Sequence, residues 1–229
     1  MALNMREHYG WQFPDLETHL PRMLKKSVDK GLPAEYQIAV RQRSIELCKK
    51  RDVALDVGAN IGLWSRDLVK SFNRVIAFEP VSLFRECLES NVKGENFEIL
   101  PIALGDRDTQ GTMIIAEDNS GHSHLDPTTI GTGNVPVFRL DNLNFNEVNY
   151  IKVDCEGYEY RVLQGAEETI KRCKPIVVIE QKSHDAYSKQ YGQFAAVGLL
   201  ESWGMVKLDQ VRDDWIMGWD SPAEIKFKD

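Results

Sequence analysis

The sequence lacks a hydrophobic run long enough to form a membrane-spanning helix. No apolar stretch of the 229 residues approaches the roughly 20 that such a helix needs. The first residues, MALNMREHYGWQF, also lack the charged and then apolar order of a signal peptide. These absences argue against a helical membrane protein, and we expect a cytoplasmic protein with no membrane partner.

Cysteine is scarce and positive charge is in deficit. The four cysteines form no C-x-x-C pair, which argues against a zinc site and against a disulfide framework. Lysine and arginine number 28 against 35 acidic residues, so the net charge is −7. An acidic surface repels a phosphate backbone, and we therefore expect no broad binding of nucleic acid. The oligomeric state is not predictable from these features.

The first fifty residues differ in pattern from the rest. Leu16, Leu20 and Leu24 recur at helical spacing, which predicts a helical extension over residues 1–50. The stretch from Tyr36 to Arg41 is a candidate lid over a ligand. Residues 51–229 are predicted to form one further domain.

From residue 52 onward, short apolar runs alternate with amphipathic stretches. Strands are predicted at 53–57, 74–78, 97–100, 150–153 and 176–179, and helices at 61–72, 83–92, 158–171 and 194–203. This alternation indicates a doubly wound α/β fold with a mostly parallel sheet, closed by an antiparallel C-terminal hairpin around residues 212–214. Extra strands are predicted at 112–116 and 135–140, joined by the polar loop 117–134.

The sequence LDVGANIG, residues 55–62, lies where the first of these strands turns into a helix. Glycine permits a tight turn and the close approach of a ligand, which favours a nucleoside cofactor at this edge of the sheet. A dinucleotide fingerprint is G-x-G-x-x-G, but Asn60 stands where its middle glycine would be. Asp56, expected at the mouth of the site, repels pyrophosphate and suits a cation such as the sulfonium of S-adenosylmethionine.

A second strand ends in Glu79 and Pro80, roughly 20 residues after the glycine loop. A carboxylate there can accept hydrogen bonds from both hydroxyls of a ribose. The alternative interpretation is a glycine-rich turn with no ligand. The joint occurrence of Asp56, the loop and Glu79 argues against that alternative.

Three acidic residues, Asp154, Glu156 and Glu159, crowd the end of the fourth strand. Crowded carboxylates raise one another's pKa, so one of them can serve as a general base. For Glu156 and Glu159, capping of the following helix is an equal alternative. For Asp154, at the tip of the strand, we favour a functional role.

Further candidates follow the fifth strand and lie in the long loop. Glu180, His184, His122 and His124 are candidate substrate contacts, although solvent-exposed loop histidines are the simpler interpretation of the last three. Glu180 and Asp154 together suit a divalent cation. Methyl transfer needs no metal, so we predict none. Trp64, after the glycine loop, is expected in the core.

In these residues the chain resembles the FkbM-type S-adenosylmethionine methyltransferases. The matching blocks keep the family order and span about residues 50–185. They are ALDVGANIGLWS (54–65), VIAFEP (75–80), ILPIALGDRDTQGTM (99–113), FRLDNL (138–143), YIKVDCEGYEYRVLQGA (150–166) and PIVVIEQ (175–181). Cys155 departs from the family pattern, which usually has a small aliphatic residue there.

The resemblance implies a class I methyltransferase fold (Rossmann-like) and methyl transfer to a hydroxyl oxygen of a sugar, a glycan or a small natural product. It implies cofactor contacts around the methionine part (Asp56, Gly58, Ala59, Asn60, Gly62), the ribose (Glu79, Pro80) and the adenine (Ala103, Leu104). Asp154 and Glu156 match the acidic pair of the family and are the predicted catalytic residues, with Asp154 also near the cofactor.

Two other functions remain open from the sequence alone. A nicotinamide-dependent oxidoreductase is disfavoured by Asn60 and Asp56. A binding module that keeps the cofactor fold without chemistry is disfavoured by the intact acidic residues. The identity of the methyl acceptor, and the choice between oxygen and nitrogen, are not predictable because acceptor loops vary freely.

Overall fold

The computed structural model describes residues 4–181, 191–192 and 194–219. In chain order the strands are β1 (Met5–His8), β2 (Trp11–Pro14), β3 (Val53–Val57), β4 (Arg74–Phe78), β5 (Phe97–Leu100), β6 (Ala103–Leu104), β7 (Thr109–Gly111), β8 (Met113–Ile114), β9 (His124–Leu125), β10 (Val135–Phe138), β11 (Val148–Val153), β12 (Ile176–Glu180), β13 (Val206–Val211) and β14 (Asp214–Gly218). The helices are α1 (His19–Val28), α2 (Ile38–Leu47), α3 (Ser65–Ser71), α4 (Ser82–Asn91), α5 (Glu159–Gln164), α6 (Glu167–Cys173) and α7 (Ala195–Ser202).

A seven-stranded sheet forms the centre of the molecule. Its strand order is β13-β14-β12-β11-β3-β4-β5, and the pairs from β12 through β5 are all parallel. β14 runs antiparallel to both of its neighbours and lies between β12 and β13. The predicted doubly wound sheet with an antiparallel C-terminal hairpin is therefore confirmed.

Alternation along the strands explains why helices cover both faces of this sheet. On β3, Leu55 and Val57 face the cluster that includes α5, α6 and α7, whereas Ala54 faces α2 and α3. Tyr150 and Ile151 divide in the same way on β11. Strands buried on both sides need continuous apolar runs, which is the pattern that the sequence shows.

Two predicted helices differ from the observed ones, the first in its start and the second in its continuity. The helix expected over 61–72 begins only at Ser65, because residues 58–64 continue the loop. The helix expected over 158–171 is divided into α5 and α6. The carboxylate of Asp141 accepts hydrogen bonds from the backbone N–H groups of Glu168 and Thr169, and so begins α6 as a separate helix.

The prediction that the N-terminal segment is helical throughout is wrong for its first residues. Residues 5–14 form a β-hairpin rather than a helix, with its turn at Tyr9 and Gly10. Trp11 and Phe13 alternate inward on β2 and pack with α1, Ile61 and Cys87. The period-two burial of these aromatic residues outweighs the helical spacing that begins only at Leu16. The domain boundary near residue 50 stays a prediction.

The stretch between β5 and β11 forms two small sheets beside the large one. β10 pairs with β6 and β7, and β8 pairs with β9. The predicted strand at 112–116 is thus shorter, and the loop 117–134 contains short 3-10 turns at 120–122 and 127–129. Among the described helices, none has the length and apolar character to cross a bilayer.

Candidate active site

A cavity of about 800 Å³ lies at the carboxyl ends of β3, β4, β11 and β12. Ligands of open α/β sheets bind at this edge, and small-molecule sites have volumes of roughly 300–1,000 Å³. The structure brings most of the predicted site residues to the wall of this cavity: Gly58, Ala59, Asn60, Glu79, Pro80, Ala103, Leu104, His122, His124, Asp154, Glu156 and Glu180. His184 lies outside the described residues.

The glycine loop is held tightly between two strand ends. A Cβ atom on Gly58 would lie 2.0 Å from the backbone oxygen of Asp154, and its φ of +78° is in the left-handed region. Only glycine meets both conditions. The N–H groups of Gly58 and Ala59 donate to the carbonyl of Phe78, at 3.1 and 3.2 Å, so the loop is fixed to β4 as well.

Asp56 and Gly62 do not line the cavity, so the expected place of Asp56 at the mouth of the site is wrong. A contact of either residue with the cofactor stays a prediction. Asp56 is fully buried and accepts a hydrogen bond of 2.6 Å from the hydroxyl of Ser65 on α3. Strand alternation places it on the α3 side of the sheet rather than at the mouth of the site, and burial raises its pKa. A Cβ atom on Gly62 would lie 2.7 Å from side-chain atoms of Leu88 and Val92, so this glycine allows α4 to pack closely.

Glu79 lines the cavity as predicted, but both of its carboxylate oxygens already have partners. Oε2 accepts from the N–H of Asn60 and Oε1 from the N–H of Val81, each at 2.8 Å. Burial, which leaves the residue 4% exposed, raises its pKa to about 7. Each oxygen can accept a second hydrogen bond, so Glu79 can still receive ribose hydroxyls while it holds the loop at Asn60.

Lys152 is a buried cation at the floor of the cavity that the sequence analysis missed. Its Nζ lies 2.9 Å from Oδ2 of Asp154 and 5.5 Å from the ring centroid of Trp64. Burial lowers the pKa of this ammonium group, but Asp154 and Asp56 together raise it more, so the net pKa lies above its usual value. Lys152 therefore stays charged and cannot accept a proton from a substrate.

A chain of contacts connects this floor to the segment that precedes α2. The indole Nε1–H of Trp64 donates to Oε1 of Gln37 at 2.7 Å, and Nε2 of Gln37 donates to Asp214 at 3.1 Å. Trp64 is 3% exposed, as expected for the core, yet it also lines the cavity. The neighbouring Tyr36 lines the cavity too, and burial and nearby carboxylates raise its pKa to about 12. A lid function for residues 36–41 stays a prediction.

Glu156 occupies a strained position at the tip of β11. Its φ of 51° is unusual for a residue with a side chain, and such strain is concentrated at functional sites. Carboxylate oxygens of Asp154, Glu156 and Glu180 lie within 4.8 Å of one another, a spacing at which one divalent cation could bind all three. Clusters of carboxylates are also common where no ion binds. The prediction that the reaction needs no metal therefore stays a prediction.

Glu159 has a structural role, which resolves the alternative that the sequence left open. Its Oε1 accepts from the N–H groups of Cys155 and Gly157, at 2.7 and 3.1 Å, and the side chain does not line the cavity. Burial raises its pKa to about 7. Glu159 thus fixes the turn that carries Glu156.

Comparisons with known proteins give a family and several distant structures. The model described as "Methyltransferase FkbM domain" matches residues 56–207. Similar crystal structures include an FkbM methyltransferase from Methylobacillus flagellatus KT, 18% identical over 74% of this chain and 44% of that chain, with a TM-score of 0.48. They also include precorrin-6y C5,15-methyltransferase from Geobacter metallireducens GS-15 (13%; 79% and 88%; 0.45) and the N-methyltransferase NodS from Bradyrhizobium japonicum WM9 (11%; 78% and 92%; 0.45). No curated protein matches the sequence significantly.

The residues at the cavity fit S-adenosylmethionine. Glu79 offers acceptors for ribose hydroxyls, Ala103 and Leu104 add an apolar surface for adenine, and Asp154 and Glu156 place negative charge for a cationic group. The family match covers more than half of the chain and includes both the glycine loop and the acidic pair. The chain belongs to the FkbM family of S-adenosylmethionine-dependent methyltransferases and has the class I methyltransferase fold.

Proposed function

We propose that this protein methylates a hydroxyl oxygen of a sugar, a glycan or a small natural product, with S-adenosylmethionine as the methyl donor. One observation carries the proposal. The acidic pair Asp154 and Glu156 and the loop Gly58–Asn60 line the same cavity. A hydroxyl must lose a proton when it is methylated, and carboxylates beside the cofactor loop can accept it.

When bound, S-adenosylmethionine supplies an electrophilic methyl group on a positively charged sulfur. An oxygen lone pair of the acceptor forms the new C–O bond as the C–S bond breaks, and sulfur keeps the electron pair of that bond. The products are a methyl ether, S-adenosylhomocysteine and one proton. Most of the acceleration comes from holding the two reactants in line.

The contacts of the two carboxylates suit different tasks. Lys152 donates a hydrogen bond to Asp154, and this buried ammonium holds the carboxylate in a fixed place at the cavity. We therefore assign to Asp154 the orientation of the acceptor hydroxyl and the attraction of the cationic methyl donor. Glu156, held at the strand tip by its unusual backbone conformation, is the group that we assign to proton acceptance.

The remaining expectations concern acceptors and location. His122, His124 and Glu180 line the cavity and are proposed acceptor contacts. The acidic net charge supports a small-molecule or glycan acceptor over nucleic acid, and a cytoplasmic location stays part of the proposal. A nicotinamide-dependent reaction loses support because the family is one of methyltransferases.

Radiolabelled methyl transfer tests the proposal. The protein is incubated with S-adenosylmethionine labelled in its methyl group and with fractionated sugars, glycans and small hydroxylated metabolites. We expect labelled product that resists alkaline hydrolysis, as an ether does and a methyl ester does not. Label on a nitrogen atom or in a base-labile ester would contradict oxygen-ether formation. Absence of transfer despite tight cofactor binding would favour the binding module.

A further inference from the structure

The family match begins at residue 56, yet part of the cavity wall comes from earlier in the chain. Residues of α1, including His19 and Met23, line the cavity together with residues at the carboxyl ends of the sheet. The segment Asn119–Leu125 lines it as well. We call these two segments together the outer wall. Because these segments lie outside the central sheet, other contacts must hold them in place.

Glu17 provides this attachment. The residue has no exposed surface, and its carboxylate accepts three backbone hydrogen bonds. Oε1 accepts from the N–H groups of His19 and Leu20, at 2.7 and 2.9 Å, and Oε2 accepts from the N–H of Ser120 at 2.5 Å. One buried side chain thus holds the start of α1 and a loop that is 103 residues away in sequence.

The loop in turn contacts the cofactor loop. The hydroxyl of Ser120, a residue only 2% exposed, donates to Oδ1 of Asn60 at 3.1 Å. The N–H groups of Thr18 and His19 also donate to the carbonyl of Asp118, at 2.9 and 3.2 Å. The contacts therefore run without a gap from Glu17 through Ser120 to Asn60.

We propose that Glu17 is a positioning residue that holds the segment Asn119–Leu125 against Asn60, and so couples the outer wall to the cofactor loop. The position of the segment Asn119–Leu125 is a matter of the fold alone. The coupling rests on the proposed function, because it makes cofactor affinity depend on a residue that does not line the cavity. Glu17 acts through Ser120, and it is not a catalytic residue.

Glu17→Gln is the most direct test, because the amide has nearly the same shape but only one acceptor atom. With its oxygen toward α1, its NH₂ group would face the N–H of Ser120, donor against donor. Hydrogen exchange followed by mass spectrometry should show peptides covering 117–126 and 58–62 exchanging at least ~10-fold faster, since local opening becomes easier. The affinity for S-adenosylhomocysteine should fall ~5- to 10-fold.

Two further variants complete the experiment. Glu7→Gln changes an exposed glutamate on β1 in the same segment and should leave exchange and affinity unchanged. Ser120→Ala removes only the hydroxyl contact with Asn60, so the affinity should fall while exchange over 18–20 stays as in the wild type. This variant also tests the coupling if Glu17→Gln does not fold.

Each result supports or overturns a defined part of the proposal. Wild-type exchange at both peptides in Glu17→Gln would overturn it. Faster exchange with unchanged affinity in both Glu17→Gln and Ser120→Ala would reduce Glu17 to a structural residue and overturn the coupling. If the wild type itself does not bind S-adenosylhomocysteine, the proposed function fails, and exchange at 58–62 still decides whether Glu17 positions the loop.

Discussion

The floor and the outer wall of the cavity are built in different ways. The floor consists of Gly58–Asn60 and Lys152–Glu156, which follow or end neighbouring parallel strands. Strand register places its groups, and Lys152 pairs with Asp154 within it. The outer wall reaches the cavity from outside the sheet and is held by side-chain hydrogen bonds to backbone, chiefly those of Glu17. The sheet therefore positions the groups proposed to react, whereas separate segments form the outer wall of the cavity.

The largest effect should come from the proposed base. Glu156→Gln keeps the shape of the side chain and removes its ability to accept a proton, so turnover should fall by about 10²- to 10⁴-fold. The affinity for S-adenosylhomocysteine should remain near that of the wild type. Turnover is measured with the labelled methyl donor, and Glu168→Gln on the exposed side of α6 is the matched control. Turnover within a factor of two of the wild type would remove Glu156 from the mechanism.

The next effect concerns the buried charge of the floor. Lys152→Met keeps most of the apolar stem but removes the buried ammonium beside Asp154. Removal of one partner from a fully buried pair costs about 3–5 kcal/mol, and because the side chain of Asp154 is 20% exposed we expect the lower end of this range. The free energy of unfolding in urea should fall by about that amount.

A lysine of the outer wall provides the comparison for Lys152. Lys26 is exposed on α1, and Lys26→Met should change the free energy of unfolding by no more than about 0.5 kcal/mol. Equal losses in the two variants would contradict the distinction between floor and outer wall.

A smaller effect should appear in the pH dependence of stability. The pKa of Glu79 is about 7 in the folded protein and 4.5 ordinarily, so the folded state binds this proton more tightly than the unfolded state. Its contribution is present below about pH 4.5 and is lost as the pH rises through about 7, by about 3 kcal/mol at most. Urea unfolding at pH 5 and pH 8 should therefore differ less in Glu79→Gln than in the wild type. An identical difference in both proteins would contradict a pKa of Glu79 that folding raises.

The smallest effect should come from the contact between Trp64 and Gln37, a residue of the segment 36–41 that is predicted to be a lid. Trp64→Phe removes the indole N–H that donates to Gln37 and keeps an aromatic ring under Lys152. The free energy of unfolding should fall by about 0.5–1.5 kcal/mol. Turnover should change by less than in Glu156→Gln. A loss of turnover as large as in that variant would mean that the 36–41 segment takes a direct part in catalysis.

Much of the floor could be predicted from the sequence for a physical reason. Apolar runs of five residues mark strands that are buried on both faces, and the ends of parallel strands meet at one edge. Motifs at those ends, such as Gly58 and Asp154, are therefore brought together by the fold. The burial of Asp56 could also have been predicted, because alternation along β3 places this residue on the opposite face from Leu55 and Val57.

The outer wall could not be predicted in this way. The bond between Glu17 and Ser120 joins distant segments, and no local pattern marks either residue. The hairpin at residues 5–14 was obscured by the helical spacing that follows it. Lys152 left one signal, a lone lysine inside an apolar strand, which indicates a buried charge with a partner.

Calorimetric titration with S-adenosylhomocysteine, and with NAD as the control, tests the central claim most directly. The account predicts micromolar binding of S-adenosylhomocysteine at one site per chain and no binding of NAD. The heat of binding should be lost in a Gly58→Val variant that still folds, because the loop could no longer lie against β11. Binding of NAD with similar affinity, or no binding of S-adenosylhomocysteine to the folded protein, would contradict the assignment of this cavity.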